Sequence, residues 1–275
     1  SAWIKQTRQQ AVYFLHDLIP ITHAEYCRTG EQTVHAQRLT VMLQAGSGLI
    51  TNSQDTLDAL GEWAGRHGLS MPPSVVAPLA PAPLLAPGLV ARPLDKKYFV
   101  VLGTVEPRKN HLLLLNAWRE MAQTMGDACP HLVLIGQRGW ECENVVDMLE
   151  RCAALHGRVH EFSDCPDAQL AAYLAHAQAL LFPSFAEGFG MPLVEALMQG
   201  TPVIASSLPV FREIAGDIPD YLDPTDGPAW MQAVRDYCCE PSARRDAQMQ
   251  RMQGFSVPTW DAHFAQVEQL LEKLA

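Results

Sequence analysis

Two carboxylates, Glu187 and Glu195, stand either side of a Gly-Phe-Gly-Met-Pro turn in the stretch SFAEGFGMPLVEALMQG, residues 184–200. Upstream, in GTVEPRKNHLLLLNAW, Arg108 and Lys109 are adjacent cations a few residues beyond Gly103 and Thr104. A guanidinium fork beside an ammonium suits a diphosphate, whose charge the two share with backbone amides at a helix start. With Pro192 opening a helix and Gly200 just beyond its end, Glu195 falls in the first turn, where the dipole keeps a carboxylate ionised. An ionised carboxylate accepts two hydroxyl donors, which is what a vicinal diol such as ribose presents. Glu187 precedes that helix in a loop whose glycines let backbone approach a ligand, so it can take sugar hydroxyls while the amides of Phe189 and Gly190 face a phosphate. Blander readings satisfy the same residues: a solvated basic turn, an acid that only complements a helix dipole, and a surface loop acid.

The elements that must position these groups follow from the apolar pattern. Short strand-like runs YFVVLGT, HLVLIG, RVHEF, ALLFP and PVIAS alternate with helical segments near 111–125, 143–156, 167–177 and 192–199. That alternation predicts a parallel, doubly wound α/β sheet, and ligands in such sheets bind beyond the carboxyl ends of the strands. Both the RK pair and the acidic pair fall just after a strand. Earlier, AVYFLHDLIP (11–20) and GLITNSQDTLDALGEWAGRHG (48–68) each read as a buried strand, the second followed by a helix capped at Asn52 or Ser53. The proline-dense stretch 72–93 can be neither a long helix nor a central strand, and reads as the last strand of that part, at Val75 and Val76, leading into a stiff linker. Segments 227–253 and 259–274 have helical spacing, the latter with Thr259 as N-cap. The expected organisation is therefore a partial first domain and linker over 1–93, a second domain over 94–256 and a final helix over 257–275, with the opening strands of the first domain missing from this chain.

Composition narrows the class. At 275 residues, 48% of them apolar, the chain has enough material for one or two packed cores. A formal charge of −10 argues against nucleic acid as a partner, because that binding rests on clustered cations. Seven scattered cysteines without a CxxC pair suit reduced thiols in a cytoplasm, and neither a metal site nor a cofactor is expected. No run of ~20 apolar residues is present, so membrane contact, where it occurs, is expected to be peripheral at the inner face.

Glu187 and Glu195, in PSFAEGFGMPLVEALMQGTPVIAS, are spaced as in the EX7E motif of the family 4 retaining glycosyltransferases, and the chain resembles that family. VVLGTVEPRKNHLLLLNAW, LVLIGQRGW, DAQLAAYLAHAQALLFPS and FREIAGD fall in the order found in the family's donor-binding half. The resemblance implies a GT-B architecture of two Rossmann-like domains, the first incomplete here, with a nucleotide sugar held mainly by the second. It assigns the diphosphate to Arg108 and Lys109 beside Gly103 and Thr104, the ribose to Glu195, and the transferred sugar to Glu187 with the backbone of Gly188, Phe189, Gly190, Met191 and Pro192. Arg138 would lie near the base, and the last helix, with Trp260, would cross back onto the first domain. LHDLIPI resembles a segment of mannosyltransferase-like members and puts His16 and Asp17 near the reacting centre. Many members carry Arg where Thr104 stands, so Arg108 and Lys109 must divide the phosphate charge between them.

The expected function is retaining transfer of a hexose, best mannose from GDP-mannose, to a glycan or lipid-linked acceptor in bacterial polysaccharide assembly. A nucleotide-sugar epimerase of the same architecture and a non-catalytic donor-binding fragment are the rival expectations. Partners are then the donor, the acceptor and the missing N-terminal segment.

Overall fold

A computed structural model describes residues 9–86, 88 and 90–275; Ser1–Arg8, Pro87 and Leu89, which belong to the expected first domain and linker, lie outside the described residues. The chain divides into two units. The first takes the described residues up to Pro81 together with Ala186–Gly190 and Pro258–Ala275, and the second takes Ala82–Phe185 and Met191–Val257.

In the first unit, strand β1 (Val12–Leu15) leads through a single turn of helix, α1 (Ile19–Thr22), to α2 (Glu31–Ala45), then β2 (Gly48–Thr51), α3 (Gln54–Arg66) and β3 (Ser74–Val76). The strands form a parallel sheet in the order β1-β2-β3, with Val12 opposite Gly48 and Leu49 opposite Ser74. Leu15, Leu39, Leu43, Leu49, Leu60 and Trp63 bury one side of the sheet under α2 and α3. The other side packs Ile50 and Ala77 against Leu270 of the terminal helix Trp260–Leu274. Both faces are thus covered, as a parallel sheet requires. Helix α3 starts at Ser53, whose side chain accepts from the Thr56 amide, and the terminal helix at Thr259, which accepts from the Ala262 amide.

The second unit runs β4 (Tyr98–Leu102), α4 (His111–Met125), β5 (His131–Ile135), α5 (Glu143–Arg151), β6 (Val159–Phe162), α6 (Asp167–Ala175), β7 (Leu180–Phe182), α7 (Met191–Met198), β8 (Val203–Ser206), α8 (Pro209–Ala215), β9 (Asp220–Leu222), α9 (Gly227–Cys238) and α10 (Ala243–Met252). Its six parallel strands lie in the order β6-β5-β4-β7-β8-β9, so the winding direction reverses between β4 and β7. Strands buried on both faces read as continuous apolar runs, and β4, β7 and β8 are buried at every position. Phe99, Trp118, Leu132, Leu181 and Trp230 share one core, where each buried large side chain contributes about 1.5–3 kcal/mol. Both indoles also keep a hydrogen bond, Trp118 Nε1 to the Pro130 carbonyl at 2.8 Å and Trp230 Nε1 to that of Asp223 at 2.9 Å.

The expected helix over 227–253 is two helices. Pro241 cannot continue α9, and Ser242 caps α10 by accepting from the Arg245 amide.

Candidate active site

The switch point between β4 and β7 is built from the residues that follow these two strands. Beyond β4, Gly103 takes φ +129°, a conformation that favours glycine. The chain is then fastened to the loop after β5, with the Val105 amide donating to the Gln137 carbonyl at 2.9 Å and the Gly139 amide to that of Val105 at 3.0 Å. Glu106 opens a 3₁₀ turn, Pro107–Lys109, and Asn110 follows in the left-handed conformation before α4 begins. Asn is among the few side chains that tolerate that backbone. Its amide donates to the carbonyls of Pro183 and Pro224 at 3.2 and 2.8 Å, fixing the basic turn to the segments after β7 and β9.

Within this frame the two cations differ. Arg108 is half-buried and its Nη2 lies 2.7 Å from the carboxylate of Glu106, which is itself buried. Lys109 is not the solvated ammonium that a loop position suggests: it is buried, with Nζ 4.9 Å from the centre of the Phe182 ring. A Cβ at Gly103 would sit 3.3 Å from Lys109 Cε, so the glycine leaves room for the lysine stem. A charge held on an aromatic face with little water gains strength against an anion. Next to it His111 opens α4, buried, with no hydrogen-bond partner for Nδ1 among the described residues. Burial, aided by the charge of Lys109, lowers its pKa to about 4, so it stays neutral and adds no competing charge.

Helix α7 carries the second acid, and here the expectation is corrected. The helix starts at Met191, with Pro192 in its first turn, and no acid stands in that turn. Glu195 is the fifth residue, beyond the reach of the dipole that was to keep it ionised. Burial instead pushes its carboxyl up to about 7, with the charge of Asp167 adding to the rise. The far end of α7 is closed as the sequence suggests. Gly200 at φ +73° donates to the Leu197 carbonyl and Thr201 to that of Ala196, the paired bonds of a Schellman motif.

Arg138, expected near the base, follows β5 with its guanidinium already committed. Nε and Nη2 donate to the two oxygens of Glu161 at 2.8 and 2.9 Å, and Nη1 donates to Glu150 at 2.6 Å. The loop is therefore stiffened by Arg138, and its backbone is what it presents.

Glu187, Gly188, Phe189 and Gly190 group with the first unit, as does His16. His16 is exposed just after β1, and its carbonyl lies against Gly188, where any Cβ would collide with it. Ser53 Oγ donates to the Gly188 carbonyl at 2.9 Å, and Thr56 Oγ1 lies 3.4 Å from the carbonyls of both His16 and Gly188. Phe189 is buried, Gly190 takes φ +115°, and Glu187 is half-buried. Asp17 accepts from the Ile19 amide at 2.9 Å and so caps a turn. The residues that pattern alone does not reveal are Glu106, Asn110, His111 and the second role of Ser53, since each depends on burial or on a partner far along the chain.

A six-stranded doubly wound sheet with basic turn and acidic helix at its switch point, together with a second parallel α/β unit, defines the GT-B type of glycosyltransferase fold. The solved structure of Anabaena HepE in complex with UDP-glucose shares it, with a TM-score of 0.72 at 19% identity over 98% of this chain and 73% of that one. Residues 90–220 match the family model Glycosyl transferases group 1. Among relatives, the serotype-specific mannosyltransferase WbdA of Escherichia coli is 29% identical over 220 residues, 74% of this chain and 27% of that protein. The O-antigen chain mannosyltransferase B of Escherichia coli is 36% identical over 129 residues, 47% of this chain. The chain thus spans only 27% and 33% of these two relatives' lengths. No helix among the described residues is long and apolar enough to cross a membrane.

Proposed function

We propose that the chain is the donor-binding part of a retaining glycosyltransferase that moves mannose from GDP-mannose to a glycan or lipid-linked acceptor. The observation that carries this reading is the pairing, at one switch point, of a buried ammonium and a carboxylate-held guanidinium after β4 with Glu195 in the helix after β7. Transfer passes through a state in which the sugar becomes cationic while the diphosphate leaves with growing negative charge. Lys109 and Arg108 offset that charge, and because the turn is fixed by Asn110 and Glu106 they need little rearrangement to do so. Glu195 accepts the ribose hydroxyls. The roles of Glu187 and the Gly188–Gly190 backbone at the transferred sugar, and of His16 at the reacting centre, come from the family resemblance. So does retention, by attack of the acceptor hydroxyl on the face from which the diphosphate leaves. Mannose is favoured by the names of the relatives, which are mannosyltransferases.

The test pairs donor binding with turnover. GDP-mannose is expected to raise the melting temperature more than UDP-glucose does, and GDP release in the presence of a mannose-terminated acceptor is expected to follow. Lys109→Met keeps the apolar stem over Phe182 and removes the charge; it should lower transfer by about 10²–10³-fold with an unchanged melting temperature. Wild-type turnover in that variant, or no response to any nucleotide sugar, overturns the reading.

A further inference from the structure

The first unit carries a groove for which donor binding has no use. Between α1, α2 and α3 lies a cavity of about 760 Å³, within the size range of ligand sites. None of the residues that line it is acidic, in a chain of net charge −10. Gln32 and Gln37 face it from α2, Thr22 from α1, and Trp63, Arg66 and His67 from the end of α3.

The aromatic end is rigid. The His67 ring lies 4.2 Å from that of Trp63 at 28°, and its Nδ1 is 2.8 Å from the Trp63 carbonyl. An exposed imidazole is thereby held flat on a buried indole, and its outer face is a platform that needs no ordering when a ring stacks on it. Along the wall, the side chains of Gln32 and Gln37 have no hydrogen-bond partner among the described residues. Each carboxamide offers a donor and an acceptor side by side, the complement of neighbouring hydroxyls on a sugar ring.

Other ligand classes fit less well. A single guanidinium, that of Arg66, is too little charge for a nucleic acid or a phosphorylated surface. The lining sets the carboxamides of Gln32 and Gln37 beside apolar Ile21, Ala36 and Trp63, a mixture that suits the polar edge and apolar face of a sugar ring. We infer that the groove binds a neutral oligosaccharide and serves as a holding site for the acceptor glycan on the first unit. The inference rests on the glycan-acceptor reading above.

Calorimetric titration of the 275-residue chain with α-linked mannotetraose tests it. Wild type should bind, and both His67→Ala and the double variant Gln32→Ala/Gln37→Ala should bind at least tenfold more weakly. Their melting temperatures, and the shift that GDP-mannose produces, should stay as in wild type. Tetrasaccharide binding unchanged in both variants, or absent from wild type at millimolar concentration, overturns the groove. Binding that is lost in Lys109→Met and kept in the groove variants also overturns it, by placing the glycan at the donor site. Groove-dependent binding without any response to nucleotide sugars leaves the groove standing and removes the transferase reading.

Discussion

At the scale of single residues, Glu195 faces two opposed demands. To accept two ribose hydroxyls it must be ionised, yet burial favours the neutral acid and raises its pKa to about 7. The unfolded chain ionises the same group at the ordinary carboxylate value of about 4.3. A raised folded-state pKa stabilises the fold below the unfolded value, and that stabilisation is lost as pH rises through the folded one. Between about pH 4.5 and 7 the folded protein therefore loses up to about 3 kcal/mol through this group. Donor affinity runs the other way, because the ionised form is the one that accepts hydroxyls. Glu195→Gln should flatten the first dependence and weaken the second. Denaturant midpoints of the two proteins, compared at pH 5, 6, 7 and 8, should differ most at pH 8, with the variant the more stable. Parallel curves would show that Glu195 does not titrate in that range.

At the scale of elements, the site depends on how closely the ends of β4 and β5 approach. A Cβ added at Gly136 would run into the Gly103 carbonyl and lie 3.2 Å from the Thr104 amide, so the turn bearing Lys109 has to move. Gly136→Ala should therefore cost about 1–3 kcal/mol in urea unfolding and weaken nucleotide binding together. Gly61, inside α3 with open space around its Cα, is the control, and Gly61→Ala should add about 0.5–1 kcal/mol. Equal effects at the two positions would remove the argument from close approach. The sequence shows this level unevenly, for physical reasons. The central strands are legible because burial on both faces leaves apolar runs such as YFVVL and HLVLI. Helix α2 is not, since only Leu39 and Leu43 are buried while Val34 and Val41 face solvent, which blurs its period. Strand β9 and helix α8 are too short to carry a pattern. Arg108, Lys109 and Glu195 declare themselves by charge beside glycine and proline. Glu106 does not, because its part comes from burial against Arg108.

At the scale of the whole molecule, the two units have separate cores of unequal size. Six strands and a core that includes Trp118 and Trp230 hold the second, whereas three strands under α2, α3 and the terminal helix hold the first. Fewer strands and a smaller buried set give less cooperative stabilisation. Heating should therefore produce two transitions, with the first unit melting at the lower temperature, and a single unfolding free energy for the chain will not be well defined. Donor contacts proposed above, at the ends of β4 and β7, belong to the second unit. A nucleotide at 100 times its dissociation constant should stabilise that unit by about 2.7 kcal/mol. Calorimetry with and without GDP-mannose reads the two transitions. Hydrogen exchange assigns them: peptides from 48–76 should lose protection before those from 98–135, and only the latter should gain it from ligand. One coincident transition that ligand shifts as a whole would mean that the units unfold as one, and the separation into two cores would then have no thermodynamic counterpart.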